Sequence, residues 1–103
     1  MGVDWLIPWH PVESADERRG LLAELHRELR GDHVLSGVVV TPIAHRQDCD
    51  DVLFSLEDGS VAIVHLTWSG KTEPVSDHPW TEFFDSLERF IEESMKPDHQ
   101  GWG

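Results

Sequence analysis

His65 is the residue of this chain whose position is hardest to explain by packing alone. It lies within the segment "VAIVHLTW", whose apolar and β-branched residues predict a strand. If Leu56 faces Val61 across the turn "EDGS", as a two- or four-residue loop requires, Asp50 lies diagonal to His65 and opposite Thr67. A carboxylate beside an imidazole fixes its tautomer and raises its basicity, which general-base and ligand-binding histidines both need. The sequence therefore predicts a candidate catalytic or ligand-binding group of His65, Asp50 and Thr67.

A structural role is the competing interpretation of His65, since a histidine in an apolar strand is commonly a neutral core residue hydrogen-bonded to a carboxylate or carbonyl. No serine or cysteine lies in a recognisable nucleophile elbow, and Cys49 has only Arg46 as a basic neighbour. The ligand-rich loop from His45 to Asp51 does not match an EF-hand, H-E-x-x-H or paired C-x-x-C pattern. There is no G-x-G-x-x-G or Walker A sequence. We therefore expect no metal and no cofactor.

Hydrophobic periodicity predicts the elements that would position these side chains. Ser14 and Glu17 form an S-x-x-E capping box before a leucine stripe, which predicts a helix from Ala15 to Arg30. The β-branched run after His33 predicts a strand that Pro42 ends or bends. Two further strands flank the turn described above.

The expected register of that hairpin assigns each strand residue to one face of the sheet. One face would carry Val52, Phe54, Leu56, Val61, Ile63 and His65. The other would carry Leu53, Ala62, Val64, Leu66 and Trp68. Both faces are largely apolar, so both need a cover of helices or of another subunit. A three-residue loop would shift the pairing by one residue and invalidate these assignments.

Aromatic and aliphatic residues at helical spacing predict a second helix from Trp80 to Met95, with Pro97 preventing its continuation. Residues 97–103 are then expected to form a loose tail, and residues 1–13 an ordered arm packed on a single domain of residues 1–103. The predicted fold class is α+β, a small antiparallel meander of three or more strands flanked by an N-terminal and a C-terminal helix.

The net charge of the chain limits the classes of partner that it can bind. Its 103 residues include 20 Asp and Glu against 8 Lys and Arg, a formal net charge of −12. No basic cluster is present to neutralise phosphates, so we expect no binding to nucleic acid or to a membrane, and no apolar run is long enough to span a bilayer. A single cysteine and the absence of a basic, apolar leader favour a cytoplasmic location. An acidic surface favours solubility and fast association with a basic protein.

Tryptophans and the acidic face of the second predicted helix supply the candidate binding residues, because tryptophan is favoured at binding hot spots. These residues are Trp68, Trp80, Glu82, Asp85 and Glu92. If both helices pack on one sheet face, the other face would suit an isologous homodimer interface. The leading interpretation is a non-enzymatic protein that binds a protein partner, as an accessory, inhibitor or immunity-like factor. The alternative is a small-ligand-binding protein or hydrolase-like enzyme with a pocket around His65.

The segments "HRQDCDDVLFSLEDGSVAIVHLTWSG" and "HPWTEFFDSLERF" together resemble a family of small uncharacterised bacterial proteins. That family combines D-D-V-L-F, D-G and V-H-L-T-W with an aromatic-rich helix downstream, and the similarity extends from about His33 to Phe90. The resemblance implies a bacterial protein, and it transfers no activity and no catalytic residue.

Overall fold

A five-stranded antiparallel sheet in the order β1-β2-β3-β4-β5 forms the centre of the fold. The computed structural model describes residues 5–29, 33, 35–66 and 80–102. The strands are β1 (Trp9–Pro11), β2 (Val40–Arg46), β3 (Asp51–Leu56), β4 (Val61–His65) and β5 (Trp80–Phe84). Helix α1 (Ala15–Glu28) lies between β1 and β2 in sequence, and helical residues 87–102 follow β5. The predicted α+β class, a meander with an N-terminal and a C-terminal helix, is confirmed.

Helix α1 begins at a serine cap and buries its leucine stripe. Ser14 Oγ accepts hydrogen bonds from two amides of the first turn, at 3.1 and 3.3 Å. The Glu17 carboxylate, expected to complete a capping box, instead lies 2.6 Å from His45 Nδ1 on β2. Leu21 and Leu25 are buried against the sheet. The cap and the stripe therefore fix where α1 starts and which side faces the core.

A three-residue turn at residues 57–59 sets the register of the β3–β4 hairpin. The Gly59 amide donates to Leu56 O at 3.2 Å, and the Leu56 amide donates to Ser60 O at 2.9 Å. Gly59 has a φ of +91°, which glycine adopts without a steric penalty. Asp58 Oδ1 accepts from the Ser60 amide at 2.9 Å, and hydrogen bonds from Ser60 lower the pKa of Asp58. These bonds define a three-residue loop with a glycine bulge, the arrangement in which a type I turn is typical, and not a two- or four-residue loop.

The observed register therefore differs by one residue from the predicted one. Ser55 pairs with Val61 and Asp51 pairs with His65, so the predicted pairing of Leu56 with Val61 is wrong. One face carries Asp51, Leu53, Ser55, Val61, Ile63 and His65. The other carries Val52, Phe54, Leu56, Ala62, Val64 and Leu66. Side chains alternate between the two faces along a strand. The one-residue error in register therefore assigned each residue of β3 to the same face as the wrong set of β4 residues.

Pro42 bends β2 and changes the face on which later residues lie. The pairing with β3 shifts between Pro42 and Ala44, so Ile43 is the extra residue of a β-bulge. Proline has no backbone N–H to donate to the neighbouring strand, and a bulge tolerates that missing donor. Val40 packs on the α1 side of the sheet and Ala44 on the opposite side. The bulge therefore also places Arg46, two residues beyond Ala44, on that opposite side. The expected bend at Pro42 is confirmed, although the strand starts at Val40 rather than near residue 33.

Each face of the sheet packs against its own helical element. The leucines of α1 share a core with Phe54 and Val64. On the other face, Phe90 and Met95 share a core with Trp9, whose ring meets Phe90 edge-on at a centroid distance of 5.1 Å. The expectation that both faces need a cover is confirmed. The two helices do not share a face, so the face assigned to a homodimer interface is covered by the chain itself.

The predicted helix from Trp80 to Met95 is wrong in its first third. Residues Trp80–Phe84 form β5, whose aromatic residues also suit a strand paired with β4. The helix begins after Ser86, whose Oγ accepts from the Arg89 amide at 3.2 Å.

The helix also continues past the proline that was expected to stop it. It comprises α2 (Leu87–Phe90), a π-helical turn (Ile91–Met95) and α3 (Lys96–Trp102), together called the C-terminal helical segment. The Lys96 amide donates to Ile91 O, five residues back. This wider turn accommodates Pro97, which has no amide to donate and whose ring would clash with a regular helical turn. Residues 97–102 are thus helical rather than a loose tail. Within the described residues, no helix combines the length and apolar character needed to cross a bilayer.

Candidate functional site

Five side chains at one end of the sheet form a row that crosses all five strands. Trp9 pairs with Arg46, Asp51 pairs with His65, and His65 pairs with Trp80. Arg46 is the residue of β2 just after the last pair that β2 and β3 form, and Asp51 is the residue of β3 just before that pair. The two residues are therefore neighbours across the strands, and the row is continuous. These residues, called the cross-sheet row, lie on the face that the C-terminal helical segment covers.

His65 is paired with a carboxylate and open to solvent. Its Nδ1 lies 2.5 Å from Asp51 Oδ1, and its side chain is 53% exposed. Hydrogen bonds alternate outward from the Leu56–Ser60 pair, so Asp51 and His65 form a non-hydrogen-bonded pair, the type with the closer Cα atoms. Asp51 orients the ring through Nδ1, and Nε2 is the nitrogen that could contact a ligand. The interpretation of His65 as a buried core residue is wrong.

The carboxylate of the predicted group is Asp51 rather than Asp50. Asp50 is exposed, and its carbonyl accepts from the Leu66 amide at 3.3 Å. Its side chain lines a cleft on the α1 side of the sheet and does not meet His65. Thr67 and Trp68 lie outside the described residues. The prediction that a carboxylate pairs with His65 is therefore correct, but the predicted residue is wrong. The loop has three residues, whereas the predicted pairing requires two or four.

Asp98 attaches the C-terminal helical segment to the cross-sheet row. Its Oδ2 accepts from Trp9 Nε1 at 3.0 Å and from Ser94 Oγ at 3.3 Å, and it lies 3.2 Å from Arg46 Nη1. Trp9 is buried, so its indole N–H needs such an acceptor. One carboxylate therefore links β1, β2 and α3.

Arg46 is held on two sides by acidic partners. Its Nε and Nη2 lie 2.8 and 2.7 Å from the two carboxylate oxygens of Asp48, a bidentate contact. This hydrogen bonding lowers the pKa of Asp48 and raises that of Arg46. The guanidinium carbon also lies 5.9 Å from the centre of the Trp9 ring. The side chain of Arg46 is only 20% exposed, so these contacts are partly shielded from water.

A cleft of about 460 Å³, called the His65 cleft, opens between the row and the C-terminal helical segment. Its charged lining comprises the carboxylates of Asp51, Glu82 and Asp98 and the guanidinium of Arg46. Trp80, 63% exposed, forms part of its wall. With a neutral His65, the cleft is negative and has one exposed aromatic wall.

Two of the predicted binding residues, Trp80 and Glu82, line the His65 cleft. Asp85 is exposed just after β5, outside the cleft lining. Glu92 lies on the π-helical turn, also outside that lining, with Oε1 2.7 Å from Lys96 Nζ.

Metal and thiol chemistry have little support at this end of the sheet. No three or more His, Cys, Asp or Glu side chains are arranged to hold a metal ion in the part of the chain that the structure describes. Cys49 lies in the exposed β2–β3 connection, and partial desolvation raises the pKa of its thiol. The reactive thiolate is therefore disfavoured.

The sequence-based interpretation missed Asp51, Arg46 and Asp98. The signal for Asp51 was the loop "EDG", since glycine as the third loop residue is typical of a type I turn with a bulge. Arg46 is predicted to lie in a loop because no sequence pattern shows that β2 continues beyond the bulge at Pro42. Asp98 follows Pro97, and its helical position depends on the π-helical turn.

Comparisons of the chain with protein-family models, with curated proteins and with solved structures found no match. The resemblance to a family of small bacterial proteins stays a prediction.

Replacing Arg46 with glutamine should destabilise the fold by about 1–3 kcal/mol, because it removes charge-assisted bonds to Asp48 and Asp98. Arg19→Gln is the matched control, since Arg19 pairs with Asp16 while 72% exposed, and should cost less than about 0.5 kcal/mol. Urea unfolding of both variants measures the difference. Equal costs would contradict a structural role for the Arg46 contacts.

The cost of Arg46→Gln should also shrink in acid. Asp48 has a lowered pKa in the folded state, so the unfolded chain binds a proton first as the pH falls below about 5. The stability that Asp48 contributes is therefore present above its unfolded-state pKa and lost as the pH falls through its folded-state value. Unfolding at pH of about 7 and about 3 should show the wild-type advantage narrowing, and an unchanged advantage would contradict this cause.

Proposed function

We propose that this protein binds a basic partner protein through the acidic, aromatic surface of β5 and the C-terminal helical segment. The observation that carries the proposal is the uneven charge of the chain. Residues 80–102 contain six carboxylates and two cations: Glu82, Asp85, Glu88, Glu92, Glu93 and Asp98 against Arg89 and Lys96. Helix α1 is nearly balanced, with four carboxylates and three arginines: Asp16, Glu17, Glu24 and Glu28 against Arg18, Arg19 and Arg27. Residues 80–102 thus carry a net charge of −4, against −1 for α1, on the surface where Trp80 and Phe83 are exposed.

Both cations of this surface are engaged within their own helix. Arg89 Nε lies 2.5 Å from Glu93 Oε2, and Lys96 pairs with Glu92 as described above. These pairs leave an excess of carboxylates for a partner. Such an excess speeds encounter with a basic protein and disfavours acidic competitors.

Exposed aromatic residues on β5 supply anchors for the same partner. Trp80 is 63% exposed and Phe83 is 46% exposed, on opposite faces of the strand. Within the described residues β5 pairs only with β4, so it is an edge of the sheet. Large aromatic side chains contribute most of the binding energy at many interfaces. Charge would then select the partner, and the aromatic residues would hold it.

An accessory, inhibitor or immunity-like role in a bacterial cytoplasm is the setting we propose. In that setting a small acidic protein would act by occupying a basic surface of its partner. A homodimer through β5 is the competing occupant of this surface, and sedimentation of the free protein distinguishes it.

Capture from a lysate of the source organism, followed by purification of the captured protein, tests the proposal. We expect a partner of net positive charge whose binding to Trp80→Ala is weaker by about tenfold or more. Glu82→Gln combined with Asp85→Asn should slow association, whereas Glu57→Gln, in the turn at the far end of the hairpin, should have little effect.

Salt supplies the decisive control. Binding should weaken strongly as NaCl rises towards about 1 M, where the Debye length falls to about 3 Å. Capture of an acidic protein would contradict the proposal. So would a captured protein whose binding is unchanged both in about 1 M NaCl and by the substitution Trp80→Ala.

A second candidate function rests on the Asp51–His65 pair. An exposed imidazole 2.5 Å from a carboxylate, in a cleft of about 460 Å³, has the arrangement of a general base. We propose as the alternative a ligand-binding or hydrolase-like activity in which Nε2 accepts the proton of a water that attacks an ester carbonyl. The ester C–O bond then breaks, and the leaving alkoxide takes that proton back from Nε2. Trp80 would contact the apolar part of the substrate.

Hydrolysis of p-nitrophenyl acetate tests the alternative. His65→Gln should lose about tenfold or more of the rate, and Asp51→Asn a smaller part, because a positioned base contributes at least that much. His26→Gln changes an exposed histidine on α1 and is the control. A rate for His65→Gln equal to that of His26→Gln would exclude a catalytic His65.

A further inference from the structure

A second cleft lies on the other face of the sheet, between α1 and the β2–β3 connection. It has a volume of about 630 Å³, within the range typical of small-molecule sites. Leu21 and Val52 form its apolar part, and Asp50 lies at its rim. We call it the α1 cleft. No residue of β5 or of the C-terminal helical segment lines the α1 cleft, so this cleft is distinct from the proposed partner surface, although Arg46 and Asp51 line both it and the His65 cleft.

Gly20 lines the α1 cleft and has no packing reason to be glycine. It is the sixth residue of the 14-residue helix α1, where glycine is less stable than alanine. A Cβ atom at this position would meet no heavy atom of the described residues within 4 Å. The backbone φ of Gly20 is not in the left-handed region. Among residues 5–29, 33, 35–66 and 80–102 the space above Gly20 is therefore open, and a glycine there allows a ligand to approach the helix backbone.

Asp50 is the carboxylate of this cleft that has no partner among the residues that the structure describes. Glu17 pairs with His45, and Asp51 pairs with His65. The Asp50 side chain makes no hydrogen bond or ion pair within the described part of the chain. A cation is the group that an unpaired carboxylate would bind most strongly.

We propose that the α1 cleft binds a small amphipathic cation, an alkylammonium or alkylguanidinium compound. Its charged group pairs with Asp50, its apolar part packs on Leu21 and Val52, and its chain passes over the bare backbone at Gly20. The negative charge of the whole chain favours the approach of such a ligand.

Titration with n-butylguanidinium, followed by NMR of the backbone amides, tests the proposal on the full chain. We expect saturable shifts at Gly20, Leu21 and Val52. The neutral analogue n-butylurea, of similar size, should bind about tenfold more weakly or worse, because the charge-assisted contact is lost.

Two variants separate binding from folding. Gly20→Ala should raise the midpoint of urea unfolding, since alanine favours the helix, and weaken n-butylguanidinium binding by about fivefold or more. Asp50→Asn should weaken binding by about tenfold. The matched controls are Gly101→Ala, at another helical glycine with open space, and Glu57→Gln, at another exposed acid. Neither control should change binding.

Several outcomes would overturn the proposal. These are the absence of saturable shifts, equal binding of n-butylurea, or full binding by Gly20→Ala. A further contradiction would come from the two variants Gly20→Ala and Asp50→Asn. If they abolished binding of the basic partner and left n-butylguanidinium binding unchanged, the cleft would be a docking site for a protein. Loss of partner binding in Trp80→Ala alone bears only on the β5 surface.

Discussion

The three-residue turn at residues 57–59 determines which side chains of β3 and β4 meet. Both faces of this hairpin are apolar, so burial of hydrophobic residues alone distinguishes poorly between two registers that differ by one residue. The positive φ of Gly59 and the hydrogen bond from Leu56 to Ser60 select one of them. Asp51 then stands opposite His65, and the cross-sheet row follows from that single pairing.

A second irregularity completes the row. The bulge after Pro42 moves Arg46 to the face on which Asp51 and His65 lie. Arg46 and Trp9 then meet Asp98, which fixes the C-terminal helical segment over the row. Two local departures from regular strand geometry thus create a polar end on an otherwise apolar sheet. That end separates two clefts, one under each helix, and Arg46 and Asp51 line both.

Elements with local signals were predictable from the sequence, and elements decided by distant contacts were not. Ser14 and the leucine spacing defined α1, and Asp58 and Gly59 located the hairpin, because caps and turns depend on a few adjacent residues. The length of the turn was not predictable, so the carboxylate beside His65 was misassigned. Residues 80–84 satisfy helical spacing and strand propensity equally, and their pairing with β4 decides between them. The helix beyond Pro97 requires a π-helical turn, for which the sequence has no simple pattern.

NMR measurement of the hairpin register tests the central claim most directly. In the register described here, Leu53–Ile63 and Asp51–His65 are non-hydrogen-bonded pairs, whose Cα atoms lie about 4.5 Å apart. Strong Hα–Hα nuclear Overhauser effects are therefore expected between Leu53 and Ile63 and between Asp51 and His65. Such effects between Phe54 and Ile63 or between Val52 and His65 would instead show the shifted register and would contradict the cross-sheet row.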